Sequence, residues 1–130
     1  MESTRLEQNY RDAANVFDNY VKDMGTNTEV KTKRWIEDYM RKNGVEPDTF
    51  FLPSDLCYNH TTKPLGGSGN EFENSVHLFE YKGRNKYRIL GSQYPYSGKV
   101  TRKRKDGVEV AVGEWENGKL VKWNIAEVMK

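Results

Sequence analysis

The residues of this chain best suited to chemistry are cations in two short runs. The first lies in "FEYKGRNKYRILG", residues 79–91, where Lys82, Arg84, Lys86 and Arg88 surround Asn85 at a turn. The second is "KVTRKRK", which places Lys99, Arg102, Lys103, Arg104 and Lys105 within seven residues. Cations at this density neutralise phosphates, and each counterion they release strengthens binding at low salt. Tyr94 and Tyr96 precede the second run and suit stacking on exposed bases or contact with a partner. The same cations also suit a solvated hairpin face, where Lys guards strand edges against aggregation.

Carboxylates offer a second chemistry. Pro53-Ser54-Asp55 followed by Glu80-Tyr81-Lys82 has the outline of a PD-(D/E)XK nuclease. There an Asp and a Glu hold Mg²⁺ and a Lys stabilises developing charge. Asp55 stands where a short helix should start, however, and a carboxylate there simply caps. Asp55, Cys57 and His60 lie within six residues, but triads are usually assembled from distant segments and adjacency alone does not orient a base towards a thiol, so Cys57 reads as a small buried hydrophobe. Two histidines and one cysteine match no zinc spacing, and "GGSG" lacks the Lys-Ser/Thr of a phosphate loop. No catalytic residue, metal or cofactor is expected.

The elements that must position the cations follow from periodicity and turn chemistry. Leu6, Tyr10, Ala13, Phe17, Tyr20 or Val21 and Met24 recur at threes and fours, a helical stripe that Gly25 should stop. Thr26 and Glu29 have capping-box spacing and predict a second helix to Asn43-Gly44. Pro47 and Pro53 forbid a long third helix, leaving one or two turns around 55–59, and "LGGSGNEFEN" reads as a loop. Phe79, Tyr81, Tyr87 and Ile89 then share one face of a hairpin, with Glu80, Lys82, Lys86 and Arg88 on the other. Asp106-Gly107 and Asn117-Gly118 join three further strands into a meander, because each lets a turn reach positive φ cheaply. Its inner face should hold Val108, Val110 and Val112 with some of Trp115, Leu120 and Trp123, and "NIAEVMK" should close as a helical turn. Helices segregated before strands predict an α+β fold.

The order helix, helix, short helix, hairpin over residues ~4–91 resembles a winged helix-turn-helix. "FEYKGRNKYRIL" is similar to the hairpin closing winged-helix domains found beside bacterial restriction and HNH nucleases, and "LPSDLCYN" is similar to a segment of small bacterial and phage proteins. The resemblance implies a wing of Lys82, Arg84, Asn85 and Lys86, with residues 92–130 as a β-meander extension. Pro53 breaks the segment that would be the recognition helix, so backbone contact rather than base reading is expected.

With 130 residues one domain is expected. A net charge of +2 argues against an acidic DNA mimic, and the basic excess falls in the second half: residues 51–130 hold 13 Lys/Arg against 9 Asp/Glu. One cysteine excludes an internal disulfide, and no apolar stretch is long enough to span a bilayer, so a cytoplasmic protein is expected. The function expected is a non-enzymatic nucleic-acid-binding module, with duplex DNA as partner. A phage-type inhibitor or adaptor of a host nucleic-acid-binding defence protein is the alternative, and a Mg²⁺-dependent nuclease the third.

Overall fold

The computed structural model describes residues 5–61 and 69–124. Helix α1, Arg5–Met24, buries Ala13, Val16, Phe17 and Tyr20 and stops at Gly25, whose φ of 77° leaves the helical region. Helix α2, Lys33–Lys42, begins later than the Thr26 cap predicts. Its N-cap is Thr32, whose Oγ1 accepts the Trp35 N–H at 3.1 Å. The preceding residues are held extended instead, because Lys31 exchanges two backbone hydrogen bonds with Tyr87, at 2.7 and 2.8 Å. A tertiary pairing has overridden a local capping signal.

A single 3₁₀ turn, Pro53–Leu56, follows, with Pro53 and Leu56 buried. Part of the expected glycine loop is helix α3, Gly69–Asn74, anchored by buried Phe72. Strands β1, Phe79–Tyr81, and β2, Tyr87–Ile89, pair antiparallel with Phe79 opposite Ile89 and Tyr81 opposite Tyr87. Strands β3, Gly98–Lys103, β4, Glu109–Glu116, and β5, Lys119–Trp123, form the antiparallel meander. Asn117 and Gly118, at φ 49° and 83°, make the tight turn between β4 and β5. The fold is α+β. The helical turn expected for "NIAEVMK" lies, beyond Asn124, outside the described residues.

One detail of the meander differs from simple alternation. Val100 lies opposite Gly113 and Thr101 opposite Ala111, so Val112 is the extra residue of a bulge. The buried face therefore passes from Val112 to Gly113 and Trp115, and Val108, expected inside, is 50% exposed. Gly113 is required there: a Cβ would sit 2.8 Å from the Trp123 ring and 2.9 Å from the Lys122 carbonyl.

Residues 56–61 run as a seam between the two sheets. Cys57 pairs parallel with Phe79 of β1, and His60 pairs parallel with Thr101 of β3. The chain bends at Tyr58 and Asn59 between these two bridges. Cys57, Leu78 and Ile89 join a first core with α1, α2 and Phe51, while Tyr58 and Leu90 join a second with Phe72, Tyr96, Val100, Val112 and Trp115. The second core thus draws three residues from before position 92.

Candidate nucleic-acid interface

The β1–β2 turn is fixed by its asparagine. Asn85 adopts φ 59°, and its Oδ1 accepts the backbone N–H of Lys33 at 2.9 Å. One of the N–H groups that the start of α2 cannot satisfy internally is thereby paired. Asn85 is therefore an anchor of the turn, in contrast to the wing contact expected of it. The docking gathers cations that are far apart in sequence: Arg84 and Lys86 on the turn, Lys31, Lys33 and Arg34 at the head of α2. Lys31 also lies over the Trp35 ring at 4.6 Å, a cation–π contact. Arg34, Arg84 and Lys86 are exposed, and none of the three is in an ion pair among the described residues.

Lys31, Lys33 and Arg34 were not among the expected site residues. Their signal was the run "KTKR", which a helix starting at Thr26 would have spread around its flank. With the N-cap at Thr32, it becomes the end of a helix facing a basic turn.

The remaining expected residues divide. Lys82 and Arg88 share the half-buried carboxylate of Glu80, at 3.8 and 3.9 Å. Arg104 is tied to Asp106 at 2.7 Å within the β3–β4 turn, and Arg102 is half-buried. Lys99 sits at the start of β3 opposite Glu114, away from that turn. Lys103 and Lys105 are exposed at the turn end.

Tyr94 and Tyr96 are not placed to stack on bases. Tyr96 is buried, donates its hydroxyl to Glu80 at 3.0 Å and stacks on Tyr58 at 5.2 Å; Tyr94 packs on the edges of both rings. Burial first, and Glu80 beside it, raise the Tyr96 hydroxyl above its ordinary range. Both tyrosines belong to the second core because a chain short of aliphatics fills it with rings.

The carboxylates of the nuclease outline are committed elsewhere. Asp55 accepts the Tyr10 hydroxyl at 3.2 Å beside the first core, whereas Glu80 turns towards Tyr96 and the second. Among the described residues no three His, Cys, Asp or Glu side chains gather as metal ligands. Cys57 donates its thiol to the Pro53 carbonyl at 3.4 Å, and burial raises its pKa, so it stays protonated. His60 stacks on Tyr81 at 4.4 Å.

The seam bridges β1 at Cys57 and β3 at His60 and bends at Tyr58 and Asn59 between them, so the two basic turns belong to separate sheets. Exposed Phe50 shares a cleft with Arg5, Asp12, Glu46 and Asp48. No described helix is long and apolar enough to cross a membrane.

The family described as "Domain of unknown function (DUF7225)" matches residues 8–122. An uncharacterised Bacillus subtilis (strain 168) protein, YnaC, is 46% identical over 78 residues, which cover 59% of this chain and 27% of that protein. The chain thus spans about a quarter of the length of this curated relative. No solved structure matches.

Proposed function

The chain belongs to this DUF7225 family, and we propose for it a non-enzymatic nucleic-acid-binding role in the cytoplasm, gripping the phosphate backbone through the β1–β2 turn and the head of α2. The observation that carries the reading is the docking of the Asn85 turn on the head of α2. It brings Lys33 and Arg34 of the head of α2 beside Arg84 and Lys86 of the turn. Backbone contact is favoured over base reading by the 3₁₀ turn Pro53–Leu56, which is too short to lie in a groove and carries no cation. The wing of the winged-helix comparison is retained in this reading as a backbone clamp. Its recognition helix is not.

The test is DNA affinity by fluorescence anisotropy across a salt series. Replacing Lys33, Arg34, Arg84 and Lys86 by Glu should abolish binding at low salt. Single Ala substitutions should each lower the slope of log K against log salt by about 0.9. Unchanged affinity in the quadruple variant overturns the reading. A protein partner retained stoichiometrically after nuclease treatment, with no DNA affinity, would move the function to an inhibitor or adaptor of a defence nuclease.

A further inference from the structure

We propose that Trp35 is a stacking platform for an unpaired base, with Lys31 as its cover, so that the basic head of α2 takes a single strand. The proposal rests on the nucleic-acid reading above and deepens it, because it names the form of the nucleic acid and the side chain that meets a base.

The first observation is how the ring is held. Tyr39, one turn further along α2, stacks on Trp35 at 5.1 Å with 6° between the planes, and Tyr20 of α1 meets it edge-on at 5.7 Å. These contacts fix the indole without enclosing it. Trp35 is half-buried, and its indole N–H is neither buried nor hydrogen-bonded among the described residues, whereas that of Trp115 is spent on the Tyr58 carbonyl. A rigid, partly open ring loses little freedom when a ligand stacks on it.

The second observation is the cover. Lys31 sets its ammonium over the Trp35 ring, 4.6 Å from the centroid. Its main chain is fixed by the two hydrogen bonds with Tyr87, but its side chain enters no ion pair among the described residues. Stacking of a base on an aromatic ring is a stronger contact than a cation–π contact at a partly exposed site, so a base can take the place of the ammonium. The displaced Lys31 stays tethered beside the strand and can meet a phosphate.

The third observation is the setting. Lys31 pairs with Tyr87, the residue after Lys86 of the β1–β2 turn, and Lys33 and Arg34 lie between Lys31 and Trp35 in the chain. Cations that follow a backbone, beside a ring that takes a base, are the combination that holds single strands. A base inside a duplex has both faces covered by its neighbours and cannot stack on a protein ring without leaving the helix.

Anisotropy with two labelled strands tests the platform: oligo-dT of about twelve nucleotides, and an abasic strand of the same length that keeps the phosphates without the bases. The intact protein should bind the abasic strand about 10-fold more weakly. Trp35→Leu should lose that factor on oligo-dT and leave abasic binding as it was, which also shows that the variant has folded. Oligo-dT carrying 5-bromodeoxyuridine, irradiated on the intact protein, should crosslink to Trp35, identified by mass spectrometry of the labelled peptide. Equal affinity for the two strands, or crosslinks confined to other residues, would overturn the platform and leave the nucleic-acid reading standing. Should Trp35→Leu weaken both strands alike, the crosslink decides. Binding to neither strand overturns the platform as well, and if a duplex of the same length is not bound either, the nucleic-acid reading goes with it.

Discussion

The two halves of the molecule solve the same problem differently. Each encloses a core and each sends out a basic turn, but the helical half docks its turn while the meander half ties its turn to itself. Asn85 gives its side chain to a distant helix, and Arg84 and Lys86 enter no ion pair among the described residues. Asp106 accepts from the Val108 N–H at 3.0 Å and from Arg104 at 2.7 Å, so that turn is locally closed at the cost of one cation. Long-range anchoring frees charge for a partner. Local anchoring consumes it.

The sharpest way to break this comparison is to ask whether the halves are separate at all. Trp115 is 3% exposed and donates its indole N–H to the Tyr58 carbonyl at 2.7 Å, across the seam. Trp115→Ala should cost about 3–5 kcal/mol. Because the seam is shared, calorimetry should show one lowered transition; a split into two, with the helical half unmoved, would show that the cores are independent.

Acid should weaken the second core next. His77 packs among Tyr58, Phe72 and Trp115, and burial pushes its pKa down to about 4 from 6.5. The fold binds this proton less readily than the unfolded chain, so the stability is fully present above pH 6.5. It is lost progressively as pH falls towards 4, by about 3 kcal/mol in all. Denaturant midpoints at pH 7 and pH 4 measure it, and His77→Gln should flatten the dependence over that interval.

The turns themselves differ least in energy but bear most directly on the contrast. Asn85→Ala removes a cap acceptor and puts alanine at positive φ, a loss of about 2 kcal/mol, and should weaken DNA binding by loosening Arg84 and Lys86. Asp106→Ala removes a locally held, solvent-open carboxylate, so it should lower the melting temperature less than Asn85→Ala and leave DNA affinity almost unchanged. Equal effects of the two substitutions on binding would erase the distinction drawn between the turns.

Local chemistry was legible in the sequence. Asp106-Gly107, Asn117-Gly118 and the alternation of Phe79, Tyr81, Tyr87 and Ile89 placed every strand, because a turn's φ preferences and a strand's period of two act between near neighbours. What escaped depended on distant partners. The pairing of Lys31 with Tyr87 displaced the cap from Thr26 to Thr32, and burial of Phe72 made a helix beside a glycine run. The bulge at Val112 changed which residues face inward. Of the candidate site, the cations of both runs were evident, and their division into paired and unpaired was not. Glu80 and Asp106 decide that division, and only the folded geometry brings Glu80 between Lys82, Arg88 and Tyr96.

The seam at residues 56–61 also constrains how the chain can reach this fold. Cys57 must meet Phe79, and His60 must meet Thr101, across loops of about twenty and forty residues, whose closure entropy is spent before any packing returns it. Helices and hairpins can form and dissolve quickly on their own. The slow event is the capture of this bent segment between two preformed ribbons, and substitutions there should act on the folding rate as much as on the final stability.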